Sequence, residues 1–235
     1  MIQKLRSKRV SGSSATFRRL ADIVTISRQK VFFLSFVAVA LLGFFLWQSF
    51  NPRYVNLPPT ATGPWVAFGD SLTEGYGAGA ETSYPAQLSK RLGIPIQNLG
   101  VSGEKSAEGL NRLPRVEGLT PRVVLICFGG NDVLQGVRRE EMISNLSVMI
   151  DRLHSRGSFV VLIGVRGASI VGDRNASAFK QLAKEKKVLF VQDILDGVLG
   201  SPNLMSDYVH PNEAGYAKIA ERIENALTPV MSKLR

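Results

Sequence analysis

The chain has 235 residues, a formal net charge of +10, one cysteine and two histidines. A lone cysteine excludes an intrachain disulfide, and so few thiols and imidazoles exclude a histidine- or cysteine-rich metal site. The charge does not mark a nucleic-acid binder, because residues 1–30 carry eight basic side chains against Asp22 alone, a net of +7, leaving only +3 elsewhere.

Residues 31–50, VFFLSFVAVALLGFFLWQSF, carry no formal charge. As a helix this run is about 30 Å long, the thickness of a bilayer core, and a transmembrane helix is expected there with Trp47 near one interface. The basic segment 1–30 is expected to stay cytoplasmic, which places the rest of the chain on the periplasmic or extracytoplasmic side of an inner membrane. A cleavable signal peptide is the alternative, with an apolar stretch of usually about 7–15 residues. Here the run is longer and is closed by Leu46, Trp47 and Phe50, which favours retention, although Thr60-Ala61-Thr62 leaves room for processing. Residues 51–63, with Pro52, Pro58 and Pro59, read as an extended linker. The remainder, 64–235, is long enough for one sizeable core.

Within it, strand candidates at 65–69, 95–99, 122–128, 158–164 and 188–192 alternate with helical patterns. The run from Val123 to Phe128 has no polar alternation, as expected of a strand covered on both faces. Cys127 lies inside it and reads as a buried strand residue. Met142, Leu146, Met149, Ile150 and Leu153 recur at helical spacing, and Gly157 stops that helix. Tyr216, Ala220, Ile223 and Leu227 mark a final apolar helix face. The alternation predicts a three-layer α/β/α sandwich with a central, mainly parallel sheet. Ligands bind beyond the carboxyl ends of such strands. Ser71 and Gly129-Gly130-Asn131-Asp132 both follow directly on strand candidates, so they should emerge on one sheet edge.

Ser71 stands in Gly69-Asp70-Ser71-Leu72-Thr73, just after an apolar run. A serine hydroxyl needs a base before it is a useful nucleophile. His154 falls on what reads as a solvated helix face, beside Asp151, Arg152 and Arg156. His210 lies in Asp207-Tyr208-Val209-His210-Pro211-Asn212, where Pro211 is suited to the first position of the last helix. Asp207, three residues earlier, is near enough to orient the ring, leaving the other nitrogen to take the serine proton. A helix-capping role for either residue is the plainer alternative. Candidate oxyanion donors are the backbone N–H groups of Ser71 and Gly103 and the side-chain amide of Asn131. Singly, these glycine and asparagine positions are as well explained by turns.

Together, Gly69-Asp70-Ser71-Leu72, Gly103, Gly129-Gly130-Asn131-Asp132 and Asp207-x-x-His210 resemble, in the right order, the GDSL or SGNH hydrolases. The longer string Gly-Asp-Ser-Leu-Thr-Glu-Gly-Tyr-Gly is most similar to the thioesterase I, lysophospholipase L1 and arylesterase branch. The resemblance implies a flavodoxin-like sandwich, Ser71 as nucleophile, His210 as base, Asp207 as its orienting acid, and Ser71, Gly103 and Asn131 as oxyanion donors. It implies a serine esterase that acts on acyl esters or thioesters without a cofactor or metal. Members of that branch are typically exported soluble enzymes, and the long apolar segment departs from that pattern. Two further readings stay open: an O-acetyl esterase acting on envelope polysaccharide, and a noncatalytic, membrane-tethered binding protein. The nucleophile elbow Gly-x-Ser-x-Gly is absent. Gly75-Tyr76-Gly77-Ala78-Gly79 lacks the third glycine of a nucleotide loop, since Ala80 occupies its place, and reads as a flexible cleft wall. Oligomeric state is not encoded in any of these features.

Overall fold

The computed structural model describes residues 30–44, 54–165 and 174–235. The basic segment 1–29 and residues 45–53 lie outside the described residues. The chain divides into two units, Met1–Pro52 and Arg53–Arg235. In the first, residues 30–44 form helix α1, about 22 Å long at 1.5 Å per residue. Its large apolar side chains, among them Phe32, Leu34 and Phe36, are exposed. Among the described residues no helix is long and apolar enough to cross a membrane. The expected span to residue 50 thus runs past the described part of the helix.

In the second unit, the apolar runs of the sequence become strands β1 (Trp65–Gly69), β2 (Ile96–Gly100), β3 (Val123–Cys127), β4 (Phe159–Ile163) and β5 (Leu189–Val191). They form one sheet in the order β2-β1-β3-β4-β5, and every neighbouring pair is parallel. β1, β3 and β4 are buried along their whole length, which explains their unbroken apolar character. Alternate residues feed two cores. Trp65, Ala67, Val123 and Leu125 face helices α3 (Tyr84–Leu92) and α8 (Glu213–Leu227), which supply Tyr84, Leu88, Tyr216, Ile219 and Ile223. Val66, Phe68, Val124 and Ile126 face α4 (Ser106–Glu117), α6 (Arg139–Ser155) and α7 (Arg174–Lys186), which supply Leu113, Leu146, Ile150 and Phe179. Short helices α2 (Ser71–Glu74) and α5 (Gly130–Leu134) leave the carboxyl ends of β1 and β3, and α9 (Met231–Leu234) ends the chain.

Three local expectations change. Residues 54–63 do not stand off as a spacer: Thr60 and Ala61 donate backbone N–H groups to Gly157 O, and Gly63 donates to Thr120 O. Asn56 donates its amide to the carbonyls of His154 and Ser158, both at 2.9 Å. Because this segment packs across the end of α6, His154 is half-buried rather than solvated, and its Nε2 has no hydrogen-bond partner among the described residues. Burial also lowers its pKa. Finally, Pro211 is not the first residue of α8. It pairs with Met205 in an isolated bridge, and Asn212 caps the helix by accepting from Gly215 N–H at 3.1 Å.

Asp70 caps α2, its Oδ1 accepting from Leu72 N–H at 3.1 Å. The residue is buried. Desolvation, reinforced by Asp132 and Glu104, pushes its carboxyl from 3.8 up to about 7. The folded state therefore holds a proton that the unfolded state has already released between those values. Stability from this residue is greatest at or below about pH 4 and falls as pH rises toward 7. Asp70→Asn keeps the cap but cannot ionise. Urea unfolding from pH 4 to 8 should show the parent losing on the order of 2–4 kcal/mol that the variant keeps. Equal pH slopes would show that Asp70 is already charged in the fold at low pH.

Candidate active site

The chain has no room for a side chain where β1 ends. A Cβ on Gly69 would lie 2.1 Å from Thr73 Oγ1 and 2.4 Å from the Cys127 carbonyl. The backbone can therefore turn tightly into α2, and Ser71 begins that helix. Since β1 lies between β2 and β3, the segments that follow those strands flank Ser71 on the carboxyl edge of the sheet. Gly103 follows β2 and Asn131 follows β3.

His210 arrives from far along the sequence, on the loop before α8. Its Nε2 lies 3.0 Å from Ser71 Oγ, and its Nδ1 lies 2.8 Å from Asp207 Oδ2. The other oxygen of Asp207 accepts backbone N–H groups from Val209 and His210, each at 2.7 Å. Desolvation raises the Asp207 carboxyl, but these three hydrogen bonds outweigh it and hold the group at about 2. A carboxylate only accepts, so Nδ1 carries the proton and Nε2 offers a lone pair to the Ser71 hydroxyl. Expected members Ser71, His210 and Asp207 are thus in hydrogen-bonded sequence. His154, at the opposite end of the strands, is not part of it.

The flanking loops are cross-linked by polar contacts. Asn131 Nδ2 donates to the Glu104 carbonyl at 3.0 Å. Arg112 grips the Glu104 carboxylate at 2.6 Å, donates to Gly69 O at 3.0 Å and lies 4.4 Å over the Phe68 ring. Glu74 accepts from Ser102 N–H at 2.7 Å and from the Ser102 hydroxyl. Asp132 is buried and accepts from Ser106 N–H and Oγ at 2.9 and 2.6 Å, satisfying the start of α4. Gly103, at φ +82°, sits between the two held residues Ser102 and Glu104. It is exposed and does not line the cleft, whereas Asn131 does.

That cleft, of about 180 Å³, opens beside Ser71 and His210. Leu72, Leu134, Val165, Leu195, Leu199 and Val209 give it apolar walls. An apolar chain can occupy it while a polar carbonyl meets Ser71. The parts played by Arg112 and Asp70 escaped the sequence reading, Arg112 because its partners are distant in the chain. Only Asp70 carried a local signal, as an aspartate at a strand-to-helix turn. Among the described residues no group of acidic, cysteine and histidine side chains can hold a metal.

Comparison with known proteins identifies the family. The profile of the GDSL-like Lipase/Acylhydrolase family matches residues 67–218. Esterase TesA of Pseudomonas aeruginosa is 31% identical over 177 residues, covering 71% of this chain and 88% of the relative. Thioesterase 1/protease 1/lysophospholipase L1 of Escherichia coli K12 is 30% identical over 175 residues, covering 71% and 84%. A crystal structure of TesA superposes with a TM-score of 0.66 at 30% identity, covering 71% of this chain and 99% of that one. Fold, motif order and relatives converge, and the chain belongs to the GDSL-like lipase/acylhydrolase family of hydrolases, as an enzyme acting on ester bonds.

Proposed function

We propose that the domain hydrolyses acyl esters or thioesters of apolar acyl groups through an acyl-Ser71 intermediate. The observation that carries this is the Ser71–His210–Asp207 chain, with spacings of 3.0 and 2.8 Å, at the mouth of an apolar cleft. His210 Nε2 takes the Ser71 proton as Oγ bonds to the substrate carbonyl carbon. The tetrahedral intermediate collapses, and the proton passes from His210 to the departing alkoxide or thiolate. Water then attacks the acyl-enzyme, giving its proton to His210, and the second collapse returns that proton to Ser71 Oγ and frees the acid. In each half the carbonyl oxygen becomes negative. The Ser71 and Gly103 N–H groups and the Asn131 amide are the donors proposed for it, with Asn131 exchanging the Glu104 carbonyl for the oxyanion.

The apolar walls favour an acyl chain over a polysaccharide acetate, and the names of the bacterial relatives, an esterase and a thioesterase/lysophospholipase, point the same way. A membrane location is a second part of the proposal. It is supported by the charge-free run at 31–50, the +7 segment before it, and the exposed apolar side chains of α1.

Ser71→Ala should lower p-nitrophenyl butyrate hydrolysis by at least about 10³-fold and abolish fluorophosphonate labelling. Retained turnover in that variant would sink the acyl-serine mechanism. An acyl-chain series should rise beyond acetate; activity confined to acetyl esters would favour the polysaccharide reading. Asn131→Ala should reduce kcat by about 10²-fold or more with little change in KM. For the location, alkaline phosphatase fused after Arg235 should be active in intact cells, and activity of a cytoplasmic reporter at that position instead would reverse the proposed orientation.

A further inference from the structure

The proposed base is held mainly by contacts within its own loop. Ser206 N–H and Oγ both donate to the His210 carbonyl, at 2.9 and 3.0 Å, and among the described residues Asp207 accepts only from Val209 and His210. These bonds shape the loop without fixing it against Ser71. The Asp207 side chain is 44% exposed and Tyr208 is entirely exposed, so water reaches the acid side of the pair. The stem is tied to α8 by the Met205–Pro211 bridge and by Asn212 N–H donating to Leu204 O.

Against the imidazole itself lies a residue from the nucleophile's own loop. The Tyr76 ring has its centroid 4.5 Å from that of His210, tilted by 47°. Its backbone is fixed on both sides. Tyr76 N–H donates to Ser71 O at 3.1 Å, and the Tyr216 hydroxyl of α8 donates to Tyr76 O at 2.9 Å. Next to it Gly77, at φ +90°, lets the two loops touch. A Cβ there would lie 2.0 Å from Ser206 Oγ and 3.0 Å from Pro211 O. Gly77 thus permits close packing on the base loop, and Tyr76 is backbone-bonded to Ser71 while its ring rests on His210.

We infer that Tyr76 is a positioning residue for the base, setting the ring of His210 against Ser71 and covering one imidazole face. The inference rests on the roles of Ser71 and His210 proposed above. The contact is one of ring on ring, phenol against imidazole. When the Ser71 proton reaches Nε2, the imidazolium lies within reach of the aromatic face, where a cation is attracted by the ring quadrupole. The contact strengthens as the charge develops, so its loss falls on kcat. The phenol hydroxyl takes no part, and the ring alone is sufficient.

The test compares Tyr76→Phe, Tyr76→Leu and Tyr76→Gln in the full chain, with p-nitrophenyl butyrate kinetics and the rate of fluorophosphonate labelling of Ser71. Tyr76 is 54% exposed, so two non-aromatic variants guard against one failing to fold. Tyr76→Phe should stay within about twofold of the parent, while the non-aromatic variants lose about three- to thirtyfold in kcat with KM nearly unchanged. Labelling should slow in parallel with kcat. Non-aromatic variants with parental kcat, a loss confined to KM, or a Phe variant as impaired as Leu would each overturn the inference. Failure of the underlying reading shows elsewhere, as turnover surviving in Ser71→Ala.

Discussion

The hydrogen bond between Ser71 and His210 joins residues 139 apart in the sequence, and neither segment holds the other through local structure. Its geometry is delivered by helix packing. Two residues separate His210 from α8, and α8 packs into the core on one face of the sheet through Tyr216, Ile219 and Ile223. Helix α3, which follows the nucleophile loop, is clamped to the same helix: Gln87 donates to Glu213 O at 3.1 Å, and Arg91 pairs with Glu224 at 2.6 Å. The core under one face of the sheet therefore sets the distance between Ser71 and His210. A truncation there is felt first as a shift of α8, and a displacement of about 1 Å at reacting atoms can cost about 10²-fold in rate. Fold stability and site geometry are here the same property read at two places.

Strand order does the complementary work. With β1 between β2 and β3, the loops bearing Gly103 and Asn131 are forced to either side of Ser71. This much was legible in the chain. Unbroken apolar runs marked β1, β3 and β4, and the residues after two of them already placed Ser71 and Asn131 on one edge. What the sequence could not show is where polar side chains find partners. Arg112 carries no local sign that it bridges Gly69 and Glu104, nor Asn56 that it satisfies two carbonyls about a hundred residues later. Pro211 was a fair candidate to begin α8, yet its pairing with Met205 leaves the cap to Asn212. Local preference proposes several such starts, and tertiary hydrogen bonding selects one. The tetrad Gly129-Gly130-Asn131-Asp132 was legible as a block, but only the fold divides its labour: Asn131 reaches the cleft and Asp132 turns inward to Ser106.

Three acidic residues neighbour the proposed oxyanion donors: Asp70 precedes Ser71, Glu104 follows Gly103 and Asp132 follows Asn131. Left as free carboxylates, they would oppose the charge that the proposed donors are meant to stabilise. Each is dealt with differently. Glu104 is neutralised by Arg112, whose guanidinium is backed by the Phe68 ring. Asp132 spreads its charge over the Ser106 N–H and hydroxyl, with Asn145 donating to the same hydroxyl at 3.0 Å. Asp70 caps with its carboxyl on Leu72 N–H and pairs with no cation among the described residues, and burial raises its carboxyl to about 7. The cost of burying it unpaired is avoided by giving up the charge. That leaves the nucleophile beside a neutral acid at mildly acidic pH and beside a carboxylate at alkaline pH. The turn before Ser71 thus carries a carboxyl whose charge is governed by its burial rather than by a paired cation.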